Sequence, residues 1–190
     1  MCLNLEKDIV NEIRSWSEYA LEKPNPYFNN LPPCPYARAA WKDEKVSFMF
    51  KYSAHKQDLY TAVSCFDDTY DLVIIVDFAF EENPQEFDDY LSGMNQAISE
   101  GIFINRDIWL MGFHPLDDAN EFIDDGTFES DIEDPYALIF VQRLSKIQES
   151  ADKIKEKGYY NSYLEDFNAS EIYQQRRNLY RRLQHGDETS

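Results

Sequence analysis

Four side chains of this 190-residue sequence combine reactive chemistry with positions that would hold them still: Cys34, Tyr36, His114 and Arg143. Cys34 lies between Pro33 and Pro35, in a stretch with prolines at 24, 26, 32, 33 and 35. Proline on that scale forbids both helix interior and sheet ladder, yet leaves a stiff backbone. His114 ends the apolar run Asp107-Ile-Trp-Leu-Met-Gly-Phe113, and Pro115 stops the ladder behind it. An imidazole within hydrogen-bond reach of a thiol lowers the thiol pKa and makes it a nucleophile or a redox centre. On that reading Cys34 is the thiol and His114 its base. Arg143, at the end of another strand, anchors an anionic substrate group through its planar fork, and Tyr36 completes the constellation. The function expected is a small enzyme acting on an anionic small molecule or peptide. The same residues admit a structural reading, in which Cys34 is a small buried hydrophobe, His114 a strand end and Arg143 a salt-bridge partner.

A metal centre is the second chemical reading. His114, Asp117 and Asp118, with Cys34 as a further ligand, would suit iron or manganese, and carboxylates alone a calcium or magnesium ion. The spacing is not a recognised ligand signature. The loop from Asp117 to Gly126 also fails the EF-hand pattern, because Phe122 and Ile123 fall at ligand positions. His55 and His185 sit in polar helical settings and read as surface residues.

The elements that must position these groups follow from periodicity. Leu5, Ile9, Ile13, Trp16 and Ala20 recur at helical spacing behind Asn4, a candidate N-cap, which predicts a helix over 5–21. Val46, Phe48 and Phe50 alternate with Ser47, Met49 and Lys51, a strand over 45–52 with one buried face. A short helix over 54–65 and an unbroken β-branched strand over 70–78, covered on both faces, come next. Asn83-Pro-Gln-Glu86 opens a helix whose stripe is Phe87, Leu91, Met94 and Ile98, ending at Gly101. The strand carrying His114 follows, then an acidic loop over 116–134 pinned by Phe122, Ile123 and Phe128. A fourth strand over 136–142 delivers Arg143. A helix over 144–157 is closed by Gly158, and a tyrosine-rich connector leads to a last helix that begins with the capping box Asn168-Ala-Ser-Glu171. Ile172, Leu179 and Leu183 line that helix, with Arg176, Arg177, Arg181 and Arg182 crowding the rest. Gly186 to Ser190 should fray.

This order predicts a single α+β domain over 1–190: an N-terminal helix and proline-rich lead (1–30), a core (31–158), and a connector with a C-terminal helix (159–190). The core is a two-layer sandwich with one sheet of about four strands, ferredoxin-like as the first guess for strand order, and helices mainly on one face. The N- and C-terminal helices are additional. No disulfide framework is expected, since Cys2, Cys34 and Cys65 are odd in number and share no C-x-x-C spacing.

Charge narrows the partners. The formal net charge is −18, and from Asp58 to Asp134 there are 21 carboxylates against one base, Arg106. Such a field repels nucleic acid and anionic membranes and attracts cations or basic proteins. The alternative function is therefore an acidic, non-catalytic protein that mimics nucleic acid or inhibits by occupying a basic site on a protein partner. The acidic N-terminus and the lack of a long apolar run predict a soluble cytoplasmic chain, monomer or homodimer, with no membrane span.

Several short motifs line up with one family. Cys34-Pro-Tyr-Ala37 in a proline-rich lead, the Leu-Val-Ile-Ile strand of residues 72–75, Phe87-Asp-Asp-Tyr90, Gly112-Phe-His-Pro115 and Asp134-Pro-Tyr136 leading to Arg143 resemble the bacterial family catalogued as domain of unknown function 1415. The resemblance spans about residues 31–155 and departs at Ile132-Glu-Asp134, where the family usually carries Asn-Arg-Ser. The whole chain also looks like uncharacterised proteins carried by phages of marine cyanobacteria, which would place it in the host cytoplasm. The resemblance implies a compact cytoplasmic domain whose signature positions are the Cys-Pro loop, the Phe-His-Pro strand end and the strand-end arginine. It supplies no reaction.

Overall fold

The computed structural model describes residues 2–55, 57–103, 106–117, 135–161 and 169–185. Helix α1 (Cys2–Trp16) runs into a wider turn, Ser17–Leu21, in which the Glu22 N–H donates to Ser17 O five residues back. Asn4 therefore lies inside α1 and does not cap it. The proline-rich lead follows, with a single 3₁₀ turn at Pro26–Phe28 that the Asn25 side chain caps. A short helix, α2 (Ala37–Lys42), then appears between the proline segment and the first strand, where periodicity assigned no element. Beyond it come β1 (Val46–Lys51), α3 (Gln57–Cys65), β2 (Leu72–Asp77), α4 (Pro84–Ser99), β3 (Trp109–Phe113), β4 (Ala137–Gln142), α5 (Leu144–Lys155) and α6 (Ala169–His185).

The sheet has the order β1-β2-β4-β3. β1 and β2 are parallel neighbours, and β4 is antiparallel to both β2 and β3. A ferredoxin-like sheet is built from split βαβ units, with a strand inserted between the two joined by each helix. Here nothing separates β1 from β2, so the strand order is not the ferredoxin-like one. The class is α+β, a four-stranded mixed sheet with helices.

Both sheet faces are apolar and helices pack on both, although Met111 of β3 stays exposed. Ile75, Ile139 and Val141 point into one core with Leu59 and Val63 of α3 and Phe87, Leu91 and Ile98 of α4. Leu72, Ile74, Val76 and Leu138 point the other way, into Ile9, Ile13 and Trp16 of α1. The helices of the βαβ crossover thus share one face as expected, and the N-terminal helix supplies a layer on the other, because strands apolar on both sides must be dry on both. Gly112 sets how closely α4 approaches: a Cβ there would meet Leu91 Cδ1 at 2.5 Å and Phe87 Cε1 at 2.6 Å. The outward-facing edge of β3 is occupied by Asn95, whose amide donates to Leu110 O at 2.8 Å and accepts from Leu110 N at 3.0 Å. That removes one site at which a foreign strand could pair. Gly158, at φ +74, turns the chain out of α5.

The acidic loop from 118 to 134, with Asp118, Phe122, Ile123 and Phe128, lies outside the described residues. So do 162–168, which hold the Asn168 cap, and the tail 186–190. No described helix is long and apolar enough to cross a membrane.

Candidate ligand-binding site

Cys34 is held by its backbone. Its N–H donates to Leu21 O at 3.0 Å, and its carbonyl accepts from Ala37 N at 3.2 Å as α2 begins. Two residues on, the Tyr36 hydroxyl donates to Asp71 O at 2.9 Å, at the start of β2. Arg143, leaving β4, reaches the same corner: its Nε donates to Tyr70 O at 3.1 Å and to Asp71 Oδ1 at 3.2 Å. Cys34, Tyr36 and Arg143, 109 residues apart in sequence at the extremes, are thus gathered at one end of the sheet.

His114 is not among them. Trp109 pairs with Gln142 and Phe113 with Leu138, so Arg143 and His114 lie beyond opposite ends of the β3–β4 ladder. Six residues of strand separate them, about 20 Å at roughly 3.3 Å per residue. The ring also points to the other face of the sheet, between Phe80 and Phe87, with centroids at 5.1 and 5.4 Å. The expected thiol–imidazole pair therefore does not form. His114 is 1% exposed and each nitrogen has a partner: Nε2 donates to Glu81 O at 2.8 Å, and Nδ1 accepts from Leu116 N at 3.1 Å. A carbonyl can only accept, so Nε2 carries the proton, and both a general base and a metal ligand would have to break one of these bonds. Among the described residues no group of three or more His, Cys, Asp or Glu side chains is placed to hold a metal ion. Asp118, the remaining proposed ligand, lies outside them.

Arg143 is committed as well. Beyond the two bonds above, it donates to Asp67 O, pairs with Asp68 Oδ1 at 3.3 Å, and lies 4.9 Å from the Phe66 ring centroid. Its fork clamps the 66–71 segment to the end of β4, and an anion could bind only by displacing those acceptors.

What Cys34 and Tyr36 do share is a cavity. It has a volume of about 630 Å³ and opens over the second face of the sheet. Its floor is Trp109, Met111, Phe140 and Gln142 of β3 and β4. One wall is Trp16 of α1 with Cys34 and Tyr36. The opposite wall is Ile147, Ser150 and Ala151 of α5, and Arg176 of α6 also lines the space. The N-terminal layer reaches β3 at Phe113, whose ring lies 5.0 Å from that of Trp16, but leaves Met111, two residues back on the same face, 44% exposed. Tyr159, stacked on Phe28 at 5.0 Å, fastens the proline-rich wall to the end of α5. Sequence reading named Cys34 and Tyr36 but missed the floor, because alternation along β3 shows which side chains share a face and not whether anything covers that face.

The electrostatics of the wall favour binding over nucleophilic chemistry. Burial pushes the Cys34 thiol above its ordinary value of 9.0; the Ala37 and Tyr36 N–H groups pull the other way and lose. Burial and then the Asp71 carboxylate raise the Tyr36 hydroxyl above its ordinary 10.0. Both side chains stay protonated and neutral near pH 7. The two shifts have one consequence for stability. Once the pH passes about 9, the unfolded chain gives up protons that the folded chain keeps, so stability falls as the pH rises. Denaturant unfolding from pH 8 to 10.5 should show this decline, and Cys34→Ala with Tyr36→Phe should flatten it.

A second buried constellation escaped the sequence reading. Lys51, ending β1, donates to both carboxylate oxygens of Asp77, ending β2, at 2.7 Å each, and Asp77 Oδ1 also accepts from Ala79 N at 2.9 Å. A signal was present: two strands of equal length each close on a charge, and parallel pairing in register sets Lys51 beside Asp77. No family model, curated protein or solved structure matches this chain, so the geometry alone carries the functional reading.

Proposed function

We propose that this protein binds a small, largely apolar molecule in the cavity over β3 and β4, with Cys34 and Tyr36 in its wall as neutral contacts. The observation that carries this is the uncovered apolar floor. Trp109 and Phe140 are only half-buried and Met111 is 44% exposed, on a sheet face whose Leu72, Ile74, Val76 and Leu138 are buried beneath α1. A volume of about 630 Å³ falls within the range of roughly 300–1,000 Å³ typical of small-molecule sites. The lining has the composition of such sites: mostly aromatic and aliphatic, with a few polar atoms from Gln142, Ser150 and Tyr36 to orient what enters. This keeps the expectation of a small-molecule ligand and moves the site from the strand ends to the sheet face.

The neutral fluorophore phenylnaphthylamine tests the proposal. It should bind saturably at one equivalent with blue-shifted emission. Ser150→Trp, which puts an indole into the space from a half-buried position on α5, should weaken binding by roughly tenfold or more. Bound probe should also slow alkylation of Cys34 by iodoacetamide and leave the exposed Cys65 unchanged. Absence of saturable binding, or binding that leaves Cys34 equally reactive, would reject the site.

A further inference from the structure

We infer that the ligand of this cavity is an amphipathic monoanion, a carboxylate on an apolar body, whose head group is held by Arg176; this rests on the cavity reading above. Two independent features point to it. Among the described lining residues Arg176 carries the only charged side chain. It also occupies an unusual place on its helix. Gln174, Gln175, Arg177 and Asn178 are exposed, whereas Arg176 and, one turn on, Tyr180 are partly withdrawn from solvent, so Arg176 lies on the inward face of α6. A guanidinium on the face that would ordinarily carry an apolar residue costs desolvation unless something anionic meets it. Its neighbour Arg177 already pairs with Asp152 of α5 at 3.5 Å and helps hold the helix in place.

Local charge fits the same ligand. The protein as a whole is at −18, but α6 carries four arginines, Arg176, Arg177, Arg181 and Arg182, against one acid, Glu171. α6, which contributes Arg176 to the lining, is thus locally basic on a negative molecule. At physiological ionic strength charges beyond about 8 Å are largely screened, so the guanidinium in the lining counts for more than carboxylates farther away. A guanidinium fork accepts a planar carboxylate in two parallel hydrogen bonds, and the apolar floor receives the rest of the molecule.

The experiment is displacement of phenylnaphthylamine by dodecanoate and by dodecanol, which share a chain and differ in the head. The native protein should prefer dodecanoate by roughly tenfold or more, the scale of one charge-assisted contact. In Arg176→Gln that preference, read as the ratio of the two displacement constants, should fall to about twofold or less, and Arg176→Lys should restore part of it. Equal displacement by the two on the native protein overturns the anionic ligand and leaves the cavity reading standing. A preference that survives Arg176→Gln overturns the assignment to Arg176. Failure of the neutral probe itself removes the cavity reading and this inference together.

Discussion

Lys51→Met should lower the free energy of unfolding by about 3–5 kcal/mol, the usual cost of stranding one partner of a buried ion pair. Asp77 is 3% exposed and lies between the ends of β1 and β4, paired in register with Lys51 on one side and Ala137 on the other. With the ammonium gone, its carboxylate keeps the Ala79 N–H at 2.9 Å but loses the cation that met both of its oxygens. The pair itself contributes much less than its rupture costs, because bringing two ions out of water offsets most of their attraction. The double variant Lys51→Met with Asp77→Leu should therefore recover at least half of the loss. Urea unfolding of the three proteins measures this directly. A double variant no more stable than Lys51→Met alone would mean that the pair has a role its packing does not explain.

His114→Ala should cost about 2–4 kcal/mol, and the origin separates structure from chemistry. The change empties the slot between Phe80 and Phe87 and leaves Glu81 O and Leu116 N without their ring partners. His114→Phe would refill the slot and restore no hydrogen bond, so it should recover only part of the loss. Because the ring lies on the sheet face away from the cavity, both variants should bind phenylnaphthylamine and alkylate at Cys34 as the native protein does. A variant with native stability and lost binding would return His114 to the functional site.

Much of the architecture was legible in local pattern. The three-to-four spacing of Phe87, Leu91, Met94 and Ile98 and the alternation of Val46, Phe48 and Phe50 required a helix and a half-buried strand whatever their partners. The β-branched run at residues 72–76 likewise required cover on both faces, which α1 provides. The short helix at Ala37–Lys42 was hidden because the prolines before it dominate the window in which periodicity is read.

The site was less legible, and the reason is direction. His114 and Arg143 both follow the last residue of a strand, and such residues meet only if the two strands are parallel. β3 and β4 are antiparallel, which carries the two to opposite ends of the ladder. The acidic stretch between them is long enough to permit either direction, so nothing in the sequence chose. Side-chain chemistry and element type are properties of neighbours along the chain, and the sequence determined them. Which strand ends coincide, which patch of sheet stays uncovered, and which arginine turns inward depend on contacts between segments far apart in the chain, and only the tertiary structure decided those.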